Sequence, residues 1–380
     1  MVLTEDELSY KNSNKHNMSS IRILTIALFM LFTCVARMEA QSIEAQSIEV
    51  QSMEAQSMEA QADEFLRNMP AGLQHRQTQA ILKAIEGDNG ELTAVRNSRN
   101  TEPEYSDNVA TRMLTETMRI YEPKDSREGR LLVLLYLHGG GWTFGSINSC
   151  GRFCNAMAAS GKMRVVALDY RLAPEQPYPA GLDDCIGAVE YIIRHADSLL
   201  IDTGRITIGG DSSGGNLALA TALSGRCRGK IHSLVLFYPV TKAFDDGSES
   251  WRLYGEGYGL DARIMEAFNR AYTLRADAHS PAISVGLCSD AELQALPRTL
   301  IVAAGRDILR DQGKELAERM GGKATRIEYS GAVHLFITVP GQEEAFDRAV
   351  GDAVRFMYTT NTRDDKTNTK QRGGVTLHLY

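Results

Sequence analysis

The chain has 380 residues, 43% of them hydrophobic, with a net charge of −7. That is enough apolar material for one large globular domain with additions, or for two ordinary ones. The acidic balance carries no basic footprint of the kind nucleic-acid binding needs, so nucleic acid is excluded as a partner.

Residues 21–36, IRILTIALFMLFTCVA, form an apolar run behind a sparse basic start. The run is short for a membrane span and fits the core of a secretory signal. Residues 1–40 are therefore expected to be a signal-peptide region, with cleavage after Ala36 or Ala40. The segment before Met18 is polar and unlike the start of a signal, which makes Met18 the candidate true start. The expectation is an exported protein, periplasmic or secreted. Cys34 is a candidate for a lipid anchor, but Phe32 and Thr33 are larger than the residues that usually precede one.

QSIEAQSIEVQSMEAQSMEAQ at 41–61 repeats Gln-Ser-(Ile/Met)-Glu-(Ala/Val). A period of five matches neither helix nor strand, so no single apolar face forms, and 41–62 is expected to be a flexible low-complexity linker. The polar stretch at 359–380 is expected to be a disordered tail. If Cys34 leaves with the signal, the odd set of Cys150, Cys154, Cys185, Cys227 and Cys288 argues against a disulfide framework. Buried free thiols are expected, and no metal site is indicated.

From about residue 105 the chain alternates short apolar runs with longer amphipathic ones. LLVLLYLHGGG, RVVALDYR, RITIGG, HSLVLFYP, RTLIVAAG and TRIEYSG read as strands; DDCIGAVEYIIRHA, GGNLALATALSG, QGKELAERMG and EEAFDRAVGDAVRFMY read as helices. Near-continuous apolar strands alternating with helices predict an α/β domain over 63–358, a mostly parallel central sheet with helices on both faces. Ligands in such sheets bind beyond the carboxyl ends of the strands. Two segments interrupt the alternation, 63–104 and part of 241–280, and both are candidates for a helical cap over that edge.

GGDSSGGN at 209–216 lies at a strand-to-helix junction, and Gly210-Asp211-Ser212-Ser213-Gly214 fits the G-x-S-x-G nucleophile elbow. A serine hydroxyl needs a base, and the base needs an orienting carboxylate. His334 in SGAVHLF and Asp307 in AAGRDILRD each follow a strand end, in the order Ser, Asp, His. Asp311 is the rival to Asp307, which lies nearer the strand. His138-Gly139-Gly140-Gly141-Trp142 ends the first strong strand, where consecutive glycines can turn amides toward one point. The expected oxyanion donors are the amides of Gly139, Gly140 and Ser213. His138 is expected to hold the loop rather than titrate. Trp142 is the candidate substrate contact because it adjoins that loop.

With HGGGW, DYRLAPE, YPAGLDD, GGDSSGGN, SPAIS, AGRDILRD and GAVHLF in order over roughly 130–355, the chain resembles the hormone-sensitive-lipase-like family of α/β-hydrolases, in particular its bacterial carboxylesterases. The resemblance implies the α/β-hydrolase fold with an amino-terminal helical cap. It also implies Ser212 as nucleophile, His334 as general base and acid, Asp307 as its orienter, two-step acyl transfer on short-chain, acetyl-like esters, and no cofactor. The family usually has Asp-Pro-Leu and often His-Gly-Phe where this chain has Asp307-Ile308-Leu309 and His334-Leu335-Phe336. Neither departure removes a reacting group, and Leu335 bears on pocket shape. A small-molecule ester, with an acetylated sugar as a narrower form, is the expected partner. An amidase or peptidase on the same triad, or a non-catalytic binding member of the fold, stands as the alternative; retention of His334 weighs against the latter.

Overall fold

A computed structural model of the chain describes Arg37, residues 52–125 and residues 129–359. The rest of the expected signal region with Met18 and Cys34, most of the repeats, residues 126–128 and the tail from 360 onward lie outside the described residues. The chain divides into two compact units, 1–56 and 57–380. Of the first, Arg37 and 52–56 are described and are helical.

The second unit begins in a helix, α1 (57–68), followed by α2 (Leu73–Ile85) and α3 (Gly90–Arg99). The sheet then opens with β1 (Val109–Met113), β2 (Met118–Pro123) and β3 (Leu131–Leu137). Strand and helix alternate from there: α4 (Gly151–Ala159), β4 (Met163–Leu168), α5 (Ala180–Arg194), β5 (Ile201–Asp211), α6 (Ser213–Leu223) and β6 (Ser233–Phe237). An insertion carries α7 (Glu249–Tyr254), α8 (Ala262–Tyr272) and α9 (Asp290–Gln294). The chain returns with β7 (Arg298–Arg306), α10 (Arg310–Met320), β8 (Ala324–Val333) and α11 (Glu343–Tyr358).

The eight strands form one sheet in the order β1-β2-β4-β3-β5-β6-β7-β8. β1 and β2 pair antiparallel with each other, as do β2 and β4, and every later pair is parallel. β3 shows why both faces are covered. Val133, Leu135 and Leu137 join one core with α5, α6 and α8, while Leu132, Leu134 and Tyr136 join a second core with α4 and α11. A strand buried on both sides reads as a continuous apolar run, which is how it was found in the sequence.

Three features depart from the sequence reading. Within the expected linker, residues 52–62 are helical, and Met58 and Ala62 are buried. The repeat alone makes no face, but Met58, Ala62 and Phe65 stand at i, i+4 and i+7, so the last repeat continues a face set by the segment after it. The β1–β2 hairpin escaped notice because VATRM is largely exposed and has no apolar alternation. Helix α4 is the third: its half-exposed face is Arg152, Ala156 and Ala159, two of them alanine, so the face carries little polar contrast. The five described cysteines are buried and unbridged.

The helices before the sheet and those of the insertion meet above its carboxyl edge. α2 packs on α8, and the Gln74 side chain accepts from the Asp261 amide at 2.7 Å. Arg96 ties α3 to the loop after β3, donating to the carbonyls of Thr143 and Ala173, both at 2.8 Å, and pairing with Glu175 at 2.7 Å. Arg306 at the end of β7 holds α1 through Asp63 at 2.8 Å.

Beneath this cover, α6 presses against the sheet so closely that a Cβ at Gly214 would collide with the carbonyls of Leu137 and His138. Backbone cannot move aside as a side chain can. Gly214→Ala is therefore expected to destabilise the protein by about 3 kcal/mol and to lower the thermal midpoint by roughly 5 °C or more; an unchanged midpoint would contradict this packing.

Candidate active site

Ser212 sits between β5 and α6 with φ 53° and ψ −118°, a conformation outside the regions open to ordinary residues. Neighbouring backbone fixes it there. The Ser212 amide donates to the Phe237 carbonyl at 2.9 Å, and its carbonyl accepts from Val240 at 3.1 Å. The strained turn lifts the hydroxyl off the sheet edge and leaves the Ser213 amide at the first turn of α6, where helix amides have no intrahelical partner.

The three residues picked from separate loops come together. His334 Nε2 lies 3.2 Å from Ser212 Oγ, and His334 Nδ1 lies 2.7 Å from Asp307 Oδ2. All three are buried. Asp307 is steadied by the Leu309 amide, which donates to Oδ1 at 3.0 Å. Gln342 frames the His334 loop, accepting from the Val333 amide at 3.0 Å and donating to the His334 carbonyl at 3.1 Å. Asp311 is elsewhere, paired with Arg310 and the Ser250 amide. With Nδ1–H donated to Asp307, Nε2 is left to accept the serine proton, so the line can activate Ser212 and stabilise the imidazolium that results.

The loop after β3 corrects two expectations. The Gly139 amide does not face the serine; it donates to Asp211 Oδ1 at 3.0 Å, and the Tyr136 hydroxyl donates to the same oxygen at 3.0 Å. Gly140 and Gly141 line the space in front of Ser212 instead. Both have positive φ, 113° and 60°. A Cβ on Gly140 would meet the Phe144 backbone, and one on Gly141 would fall into the Phe268 ring. Among the described residues neither of their amides has a partner. Trp142 also differs: it is 1% exposed and stacked on Tyr272 at 4.4 Å, packing material and not part of the cavity wall. His138 behaves as a loop holder. It is buried, stacked on Tyr170 at 4.2 Å, and burial lowers its pKa.

Asp211 is the residue the sequence reading passed over. Burial pushes its carboxyl up to about 6, opposed by the Tyr136 hydroxyl, the nearby His334 and the Gly139 amide. Its role is to hold the first glycine of the loop, so that the next two present their amides.

In front of Ser212 a cavity of about 950 Å³ opens under the cap. Gly140, Gly141, Ser212 and His334 form its floor. Its wall includes Phe65 and Val95, the residues Leu335, Val339 and Pro340 that follow His334 in the chain, and Phe144 and Phe268, which adjoin Gly140 and Gly141, with Arg99 over the Phe144 ring. Half of these, Phe65, Val95, Arg99 and Phe268, come from cap segments whose sequence has no motif to mark them.

The model of a family described as having the alpha/beta hydrolase fold matches residues 134–338. The chain is a member of the hormone-sensitive-lipase-like α/β-hydrolases. It is 35% identical over 239 residues to a Pseudomonas putida protein named ethyl acetate hydrolase, covering 62% of this chain and 72% of that one. A Mycobacterium tuberculosis carboxylesterase is 33% identical over 252 residues, 63% of this chain and 78% of that one. Among solved structures, an ester-hydrolase from the Lake Arreo metagenome shares 29% identity with a TM-score of 0.61, over 80% of this chain and 99% of that one. A Rhizomucor miehei esterase shares 26% identity with a TM-score of 0.64, over 78% and 98%. This member of the family is a serine hydrolase of carboxylic esters.

Leu335 occupies the position where the family often has glycine, at φ 75°. Leu335→Gly is expected to relieve strain of order 1 kcal/mol. It is also expected to raise kcat/KM severalfold for benzyl acetate relative to ethyl acetate by opening the His334 side; an unchanged ratio would mean Leu335 does not bound that side.

Asp211 gives a pH test. Its folded pKa is raised above the ordinary 3.8, so its favourable contribution is full below that value and is lost as pH rises through about 6. Asp211→Asn keeps both accepted hydrogen bonds without the charge. Its stability relative to the wild type should therefore climb between pH 4 and 7, by about 3 kcal/mol at most. Melting midpoints across that range decide it, and a difference independent of pH would count against a buried ionising Asp211.

Proposed function

We propose that the protein cleaves short-chain carboxylic esters through an acyl-enzyme on Ser212. His334 takes the serine proton and then gives it to the departing alcohol, Asp307 orients the imidazole, and the amides of Gly140, Gly141 and Ser213 receive the oxyanion. Water attacks the acyl-enzyme by the same route. The observation that carries this reading is the hydrogen-bonded line from Asp307 through His334 to Ser212, ending beside two partnerless amides at the floor of a cavity.

The short acyl preference draws support from the part of the wall that adjoins Gly140. The leaving alcohol must lie next to the histidine that protonates it, so the acyl group takes the other direction, along Phe144 toward Arg99. A long aliphatic chain laid there meets a guanidinium instead of continuing apolar surface. The name of the Pseudomonas putida relative, ethyl acetate hydrolase, points the same way. The apolar run at 21–36 supports a location outside the cytoplasm, where acetylated saccharides are one available substrate class.

The test is hydrolysis of p-nitrophenyl acetate, butyrate, octanoate and laurate by the full chain and by Ser212→Ala, with a phosphonate trap followed by mass spectrometry. Rates are expected to be highest on acetate and butyrate and to fall by roughly 10⁴-fold or more in the variant, with the phosphonyl group on Ser212. A variant that kept its activity would remove Ser212 from the mechanism, and rates rising toward laurate would remove the short-chain reading.

A further inference from the structure

Two arginines one turn apart on α3 are treated very differently. Arg96 spends its guanidinium on Thr143, Ala173 and Glu175. Arg99 is partly buried, yet among the described residues it makes no hydrogen bond and no ion pair; its contact is the face of Phe144, with the guanidinium carbon 5.4 Å from the ring centroid. Burial lowers its pKa from the ordinary guanidinium range, with no anion to compensate. Taking a cation partly out of water without a partner is unfavourable unless something else occupies the site. A role at the C-terminus of α3 alone would be served with the guanidinium in solvent.

The position of Arg99 is fixed rather than incidental. Arg96 anchors the helix to the loop after β3, and Asn100, the residue that follows, accepts from Ser146 Oγ at 2.7 Å and from Asn148 at 3.0 Å. Arg99 is thereby held on the cavity wall over the ring of Phe144, the residue whose backbone packs on Gly140. The other charged groups on the wall do not neutralise it. Glu91 is paired with Lys83, and Arg76, which donates to the Ala71 carbonyl at 2.8 Å, adds a second positive charge beside His75.

We propose that Arg99 is a specificity-determining residue that receives a carboxylate at the far end of the acyl group, so that the preferred substrates are monoesters of short dicarboxylic acids. A guanidinium offers a flat, two-pronged donor that matches a carboxylate, and the mainly apolar wall around it strengthens the pairing. The acyl side is assigned because the alcohol side lies with His334, Leu335 and Val339. This rests on the triad and oxyanion reading above and adds the class of acid to it.

The experiment compares monoethyl glutarate with ethyl pentanoate, equal in backbone length and differing in the terminal charge, by proton release with the full-length enzyme, Arg99→Gln and Arg99→Lys. The wild type is expected to take monoethyl glutarate at least as well as ethyl pentanoate. Arg99→Gln should lose 10-fold or more in kcat/KM on the former, mainly through KM, and less than threefold on the latter. Arg99→Lys, a point charge, should recover part of the loss. Equal losses on the two esters would overturn the proposal, as would a wild type that disfavours monoethyl glutarate tenfold with no response to Arg99→Gln. A loss confined to 4-acetoxybutanoate against pentyl acetate would overturn the acyl-side assignment. Ser212→Ala on ethyl pentanoate is run beside them: activity surviving there shows that the catalytic reading has failed, separately from the role of Arg99.

Discussion

Everything at this site follows from how closely α6 approaches β3 and β5. Gly210 and Gly214 remove the side chains that would keep backbone from backbone, and the contact between Gly214 and the Leu137 and His138 carbonyls sets the height of the helix over the sheet. Ser212 is bent into its unusual conformation because the chain has no room to leave β5 and enter α6 in any gentler way. That bend places the Ser213 amide at the first turn of α6. The Ser212 hydroxyl and the Ser213 amide thus share one geometric origin.

The glycine loop is controlled from below. Asp211, one residue before the serine, reaches back to Gly139 and joins β5 to the loop after β3. A carboxylate is an expensive choice for a buried position, and its elevated pKa records that cost. In return, one oxygen fixes both Tyr136 and Gly139, so the loop cannot rotate its first amide toward the substrate. The next two amides are left to do so.

The sheet was legible because its central strands β3, β4, β6 and β7 are buried on two faces and so read as apolar runs. The triad was legible because each member closes a strand: Ser212 after β5, Asp307 after β7, His334 after β8. The choice of amides was not. Three consecutive glycines look alike in a sequence, and only the Asp211 carboxylate distinguishes the first from the others. Trp142 was misread for a related reason, since a residue beside the loop can turn toward the substrate or toward Tyr272, and its neighbours do not say which. The cavity wall was the least legible part. Phe65, Val95, Arg99 and Phe268 come from helices whose spacing shows that a face is covered but not what covers it.

The burial of Met58 and Ala62 has a consequence for how this gene can change. At about 100° per residue, a five-residue unit advances a helix by about 500°, so methionines of successive repeats point about 140° apart. Met58 is buried, and Met53 is 64% exposed. Copies gained or lost upstream of Met58 therefore leave the seated face untouched. Replication slippage, to which such repeats are prone, can therefore change the number of copies while the catalytic body stays the same.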